Sequence, residues 1–200
     1  MTNQALIIFT KNPEVGKVKT RLGATIGDEA ALQIYQQLLS HTANTANSLS
    51  IDKFVFYSDY IEQNDVWDNE FYFKQVQSGN DLGERMMNAF TSILNTAYNR
   101  VVIIGTDCPG LNADIIMNAF TKLKSHDVVI GPAEDGGYYL LGMKLCYSDL
   151  FENISWSTNA VFDETRLKCE ALHLDYSLLP ILRDIDYEED LEYFKPPKND

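Results

Sequence analysis

The chain has 200 residues, 45% of them hydrophobic, with 29 acidic against 16 basic side chains and a net charge of −13. That size suits one domain over 1–200 with a substantial core, and the acidity works against a polyphosphate backbone, so nucleic acid is not expected as a partner. No apolar run approaches the roughly 20 residues of a bilayer span and no cleavable leader opens the chain, which leads us to expect a cytoplasmic protein.

The first element is the apolar run 5–9, a strand buried on both faces. Beyond a basic stretch, apolar residues recur at Ala31, Ile34, Tyr35, Leu38, Leu39 and Thr42, the period of an amphipathic helix over 28–48, with Asp28 and Glu29 at its positive end. Segments 53–57 and 71–76 read as strands, and Leu82, Met86, Phe90, Ile93, Leu94 and Ala97 mark a helix. Residues 100–105 form the clearest strand of the chain, followed by a helix over 114–123. Strands over 128–130 and 138–143 are separated only by Ala133-Glu-Asp-Gly-Gly137, too short for a helical crossover, so this pair runs antiparallel. A helix over 158–171, a short strand near 173–177, the segment 179–185 and a terminal helix from Tyr187 follow; Pro196, Pro197 and the charged end are expected to fray. The alternation predicts an α/β fold with a mixed, mostly parallel sheet and helices on both faces.

Four of the sixteen basic residues, Lys11, Lys17, Lys19 and Arg21, follow directly on the first strand. Ligands of open α/β sheets sit beyond strand carboxyl ends, so this stretch reads as an anion site for phosphate, against a solvated basic loop that offsets acidic neighbours. Gly16-Lys17 does not make a P-loop, because Lys11 and Val18 stand where a glycine and a Ser or Thr are needed. Asp107, just beyond strand 100–105 and Gly105, projects toward the same crevice as the best metal-ligand candidate, with turn capping as the other reading. Asp184 and Asp186, two apart in an extended segment, point the same way and either face one cation or cap the terminal helix. Gln77 to Arg85 sets Gly79, Leu82 and Gly83 around a helix start, where free backbone N–H groups suit a base edge or a phosphate. Asp135, Gly136, Gly137 and Tyr138 form a bare-backbone bend or a wall against a ligand, and Trp156-Ser-Thr158 offers an aromatic face to an acceptor. The three cysteines, Cys108, Cys146 and Cys169, are expected as reduced thiols, with Cys108 in a packing role. His41, His126 and His173 are isolated, so neither a histidine zinc site nor a Ser-His-Asp arrangement has local support.

The order of Phe9-Thr-Lys-Asn-Pro13, Gly16-Lys-Val-Lys-Thr-Arg-Leu22, Asp81-Leu-Gly-Glu-Arg-Met86, Gly105-Thr-Asp-Cys-Pro109, Asp135-Gly-Gly-Tyr-Tyr139, Trp156-Ser-Thr158 and Asp184-Ile-Asp186 resembles an uncharacterised bacterial glycosyltransferase-like family of the nucleotide-diphospho-sugar transferase superfamily. More distantly the chain is similar to phospholactate guanylyltransferase and the molybdenum-cofactor nucleotidyltransferases. The resemblance implies a GT-A (Rossmann-like) fold. It also implies a nucleotide held by Lys11, Gly16, Lys17, Lys19 and Arg21 together with Gln77, Gly79, Leu82 and Gly83. It further implies Mg²⁺ or Mn²⁺ on Asp107 with Asp184 or Asp186, and a small-molecule acceptor near Asp135, Gly136, Gly137, Tyr138 and Trp156. Two departures stand out: Gly16 has no glycine partner, and the Asp-x-Asp of many glycosyltransferases is here Thr106-Asp-Cys108, with one acid. The expected activity is metal-dependent glycosyl transfer from a nucleotide-sugar, with Lys19, Arg21 and Asp107 in catalytic roles. Nucleotidyl transfer with release of pyrophosphate is the alternative, and a non-catalytic nucleotide-binding regulator the third reading. Oligomeric state, nucleobase and acceptor are left open.

Overall fold

A computed structural model describes residues 3–194. Strand β1 (Gln4–Thr10) lies near the middle of a seven-stranded sheet. It pairs in parallel with β2 (Asp52–Tyr57) on one side and β4 (Arg100–Ile104) on the other, and β3 (Tyr72–Val76) adds in parallel beyond β2. Strand β6 (Tyr138–Met143) is antiparallel to both β4 and β5 (Val128–Pro132), and β7 (Tyr176–Leu178) closes the sheet in parallel with β5. The order is β3-β2-β1-β4-β6-β5-β7, so β6 is the one reversed strand. The chain winds from β1 toward β3 and then returns to place β4 on the other flank of β1. That reversal opens a crevice at the carboxyl ends of β1 and β4.

Side chains alternate across a strand, and here the alternation sorts the core into two layers. Leu6 and Ile8 of β1 join Val102 and Ile104 of β4 against helices α2 (Asp28–Asn47) and α4 (Ala113–Lys122), through Tyr35, Leu39, Ala43, Ile116, Ala119 and Phe120. Ala5 and Ile7 join Val101 and Ile103 against α3 (Leu82–Leu94) and α5 (Val161–Ala171), through Met86, Phe90, Ile93 and Cys169. The unbroken apolar runs of β1 and β4 are explained by this burial on both faces. All three cysteines are free thiols, and burial pushes Cys108 up to about 12 and Cys169 up to about 11. Among the described residues, no helix is long and apolar enough to cross a membrane.

The structure departs from the expected elements in several places, including α3, which stops at Leu94 and leaves Ala97 in a turn, and β7, which starts at Tyr176 rather than near His173. The second half of the basic stretch is a helix, α1 (Thr20–Ile26), which starts at Lys19 in left-handed conformation and stops at Gly27, φ 89°. Helix α5 begins at Val161 rather than at 158, because the Thr158 hydroxyl accepts from Ala160 N at 3.2 Å and Ser157 takes φ 63°, both of which favour a loop. A 3₁₀ turn at Ser148–Phe151 has no periodic signal in so short a stretch. The terminal helix is a 3₁₀ segment, Glu188–Tyr193, folded around Asp190, whose carboxylate accepts from Asp186 N and Tyr187 N. Segment 179–185 is an extended strap that bridges to the hairpin through Ala133 and Leu182. Pro196 and Pro197 lie outside the described residues. Phe120 is fully enclosed beneath β4, and Phe120→Ala is expected to cost about 3–5 kcal/mol in a urea melt, the usual scale for an emptied aromatic site.

Candidate active site

The crevice between β1 and β4 is a cleft of about 830 Å³, well within the range of small-molecule sites. Its first wall is the segment after β1. Asn12, almost fully buried, accepts from Asp59 N and Tyr60 N and donates to the Tyr60 carbonyl at 2.9 Å, which staples this segment to the loop after β2. Beneath it the Tyr35 hydroxyl accepts from Lys11 N at 2.9 Å and stands 3.2 Å from Thr10 Oγ1 and 3.3 Å from Thr106 Oγ1. One phenol on α2 thus ties the ends of β1 and β4 together. Burial, reinforced by the Asp107 charge, keeps that phenol protonated by raising its pKa.

The second wall is a carboxylate cluster built around one cation. Lys19 is bent inward by its left-handed backbone, φ 47°, and its side chain is 3% exposed. Its Nζ lies 2.8 Å from Asp107 Oδ1 and 3.3 Å from Asp186 Oδ1, while Arg21 Nη1 lies 3.2 Å from Asp186 Oδ2. Asp107 comes from the loop after β4, and Asp184 and Asp186 come from the strap. The Ile185 N–H donates to the Asp107 carbonyl at 3.0 Å, which brings these two distant segments side by side. Desolvation pulls the Lys19 ammonium toward neutrality, but Asp107 and Asp186 outweigh it and raise its pKa. Asp184 is pushed up to about 7 by burial first and by the Asp107 charge second. Two oxygens in the cluster, Asp107 Oδ1 and Asp184 Oδ1, are enclosed without a hydrogen-bond partner. The first is near Lys19 but off its hydrogen-bonding direction, so it is paired in charge and unsatisfied in geometry. Among the described residues no three acids, cysteines or histidines form a ready-made cage, since the Lys19 ammonium stands between Asp107 and Asp186.

The third wall joins α3 to the loop before α5. The Trp156 indole lies directly on Gly83, so close that a Cβ there would fall 2.3 Å from the ring, and it stacks near Phe151. One turn on, the Tyr138 hydroxyl approaches Met86 Sδ at 3.9 Å. Gly136, φ 87°, admits the Asn159 carbonyl where any Cβ would collide with it. Asp135 is exposed at the rim, with Oδ1 accepting from Gly137 N at 2.9 Å.

Of the residues singled out in the sequence, Lys11, Lys19, Arg21, Gln77, Leu82, Asp107, Asp135, Gly137, Tyr138, Trp156, Asp184 and Asp186 line one cleft. Gly16 and Lys17 do not line it: Lys17 is exposed and paired with Glu14 at 2.6 Å, because the turn at Gly16, φ 74°, directs it outward. Gly79, Gly83 and Gly136 act by omission, each making room for a neighbour. Gln77 is committed through Nε2 to the Phe56 carbonyl at 2.9 Å and the Thr10 carbonyl at 3.4 Å. Asn12, Tyr35, Thr106 and Arg85 were not singled out. Tyr35 has the signature of a core helix position, and only its 71-residue reach to Thr106 discloses another role.

A seven-stranded mixed, mostly parallel sheet with a cleft at the β1/β4 reversal defines the nucleotide-diphospho-sugar transferase fold. The chain belongs to the bacterial family described as "Uncharacterized protein conserved in bacteria (DUF2064)", whose model matches residues 41–158. It is similar to a protein from Desulfovibrio desulfuricans G20 provisionally designated a nucleotide-diphospho-sugar transferase, at 30% identity and TM-score 0.87, over 100% of this chain and 90% of that one. The fold, at 12% identity, is shared with the inositol-1-phosphate CTP transferase from T. maritima, TM-score 0.57, over 95% of this chain and 91% of that one. It is also shared with a cytidylyltransferase from Leptospira borgpetersenii, at 13% identity and TM-score 0.55, over 98% and 89% of the two chains. No match was found among curated proteins.

Tyr35→Phe leaves Lys11 N–H without its acceptor and is expected to destabilise the protein by about 1–3 kcal/mol in chemical denaturation. Gly83→Ala is expected to dislodge Trp156 and change the indole emission, since the other tryptophan, Trp67, is buried elsewhere in the core.

Proposed function

We propose that the protein is a metal-dependent transferase that takes a nucleotide-sugar and moves its glycosyl group to a small-molecule acceptor. The reading rests on one observation: three aspartates from two distant segments converge on a single cleft wall, with Asp184 Oδ1 enclosed without a partner and Asp107 Oδ1 matched only by the Lys19 charge. Hard divalent cations take oxygen ligands, so this donor set fits Mg²⁺ or Mn²⁺, held by Asp107 with Asp186 and Asp184. Such an ion, when bound, supplies neutralisation of a diphosphate leaving group. The charge balance argues the same way. The cleft is lined by Asp81, Asp107, Asp135, Asp184 and Asp186 against four cations, so its acids offset most of the positive charge that a diphosphate would need and a further cation would favour its entry.

The chain's own groups then divide the work. Gln77, Leu82 and the backbone around Gly79 bind the nucleoside end, and Lys11 meets its phosphates. Lys19 and Arg21 stabilise the charge that gathers on the diphosphate as its bond to the sugar carbon breaks. Asp135 has Oδ2 free to take the proton of an acceptor hydroxyl, and Tyr138 and Trp156 wall the acceptor side. Positioning by this rigid frame contributes without any covalent intermediate. Nucleotidyl transfer is the second reading, favoured by Lys11, Lys19 and Arg21 lying along one wall, where a triphosphate would meet all three. In that reaction an acceptor phosphate attacks the α-phosphorus and pyrophosphate leaves.

Thermal stabilisation by a panel of nucleotides and nucleotide-sugars with Mn²⁺ is expected to rise with ligand concentration. Asp107→Asn is expected to remove the Mn²⁺ dependence, and an unchanged metal response would take Asp107 out of the site. Release of a nucleoside diphosphate identifies glycosyl transfer and release of pyrophosphate identifies nucleotidyl transfer. Binding with neither product marks a non-catalytic regulator, and no stabilisation by any nucleotide refutes all three.

A further inference from the structure

We infer that Arg85 forms a second oxyanion subsite of the cleft, shaped for a phosphoryl group and separate from the Lys19 cluster. Arg85 stands in the first turns of α3 and lines the cleft. Its Nε donates to the Gly79 carbonyl at 3.1 Å, which fixes the plane of the guanidinium. The loop that supplies this carbonyl is itself held by α3. Asn88 Nδ2 donates to the Ser78 carbonyl at 2.8 Å, and the Glu84 carboxylate accepts from Asn80 N at 2.7 Å and Asn80 Nδ2 at 2.8 Å. Gly79, φ 144°, is required because a Cβ there would fall 2.7 Å from Arg85 N.

What distinguishes Arg85 is the state of its remaining donors. The two acids beside it are both occupied elsewhere: Glu84 on Asn80, and Asp81 as the helix cap accepting from Glu84 N at 2.8 Å. Among the described residues, Nη1 and Nη2 of Arg85 make no hydrogen bond and no ion pair. The other cleft arginine, Arg21, is paired with Asp186, and Lys19 with Asp107 and Asp186. Lys11 shares the lack of a carboxylate partner among the described residues, but it is a point charge on a flexible stem, whereas the Arg85 guanidinium is held in plane by the Gly79 carbonyl. In a chain of net charge −13, a cleft guanidinium with no carboxylate partner, held flat by a preorganised loop, is a fork awaiting an anion. Guanidinium pairs bidentately with phosphate oxygens, which a lysine cannot do. Contacts within the third wall, Gly83 under Trp156 and Met86 against Tyr138, hold α3 and its fork beside both the segment proposed for the nucleoside and the proposed acceptor side. The phosphoryl group therefore belongs either to the nucleotide or to a phosphorylated acceptor. This inference rests on the transferase reading only for the identity of that carrier.

Inorganic phosphate is the probe. In the wild-type protein, titration with phosphate is expected to shift the Arg85 Nε–Hε resonance, and Arg85→Gln is expected to weaken phosphate binding roughly tenfold or more, the scale of a lost charge-assisted contact. Arg85→Lys should recover part of the affinity, as a point charge without the fork. If Arg85→Gln also weakens binding of a nucleoside triphosphate, the subsite serves the nucleotide; if nucleotide affinity is kept, it serves the acceptor. A stationary Arg85 resonance, or equal phosphate affinity in the wild type and a folded Arg85→Gln protein, overturns the subsite. A shifted resonance in a protein that binds no nucleotide upholds the subsite and refutes the transferase reading instead.

Discussion

The arrangement of the cleft depends on a buried ammonium. Lys19 has exchanged water for two carboxylates, and its left-handed backbone is tolerated only because the side chain gains them. Neither partner is dispensable, because a charge enclosed without its counter-ion is costly. The ion pairs therefore do what the sheet alone cannot: they draw the segment after β1, the loop after β4 and the late strap onto one point. Past its bridge to the hairpin at Leu182 the strap has no strand ladder, and what fixes it beside β4 is the Ile185 bond to the Asp107 carbonyl together with the Lys19 and Arg21 pairs to Asp186.

Below that point the fold supplies a stiff floor. Parallel β1 and β4 are covered on both faces, and the Tyr35 hydroxyl links their ends, so the two walls share one foundation. The asymmetry of the cleft comes from charge commitment. Lys19 and Arg21 are already engaged by carboxylates, whereas Lys11 beyond β1 and Arg85 on α3 have no carboxylate partner among the described residues. A substrate that brings its own negative charge meets these two pairs differently.

The layers of this fold were legible because burial on two faces leaves unbroken apolar runs, as in β1 and β4, and because α2 and α3 keep a clean helical period. The antiparallel pairing of β6 was legible from the five residues that precede it, too few for a crossover. Asp107, Asp184 and Asp186 were each visible, but their convergence was not, since it depends on a main-chain bond between Asp107 and Ile185, 78 positions apart. Lys17 shows the converse. By composition it belongs with Lys19, and a glycine turn sends it to Glu14 on the surface. Helix α1 was hidden for a related reason: its start is set by a left-handed lysine and its seven residues are too few to display a period. Tyr35 and Asn12 act through long-range hydrogen bonds, which leave no local pattern to read.

The reversed strand has a consequence for how such a cleft diversifies. Strands β1 to β4 meet the rim with their carboxyl ends and each continues into a crossover, whose connection is constrained at both ends by the sheet it rejoins. Strand β6 arrives by a hairpin whose turn, Ala133 to Gly137, closes on itself through the Ala133 N to Gly137 carbonyl bond. That turn carries Asp135 and supports the loop ahead of α5 through Gly136. Because β5 and β6 pair below it, the turn shapes the cleft rim without itself belonging to the central ladder. The corner is also tied to the strap that carries the buried charges, through the Glu134 N–H to the Leu182 carbonyl and the Arg183–Glu134 ion pair, so a change in the turn reaches the Lys19 cluster as well as the acceptor side.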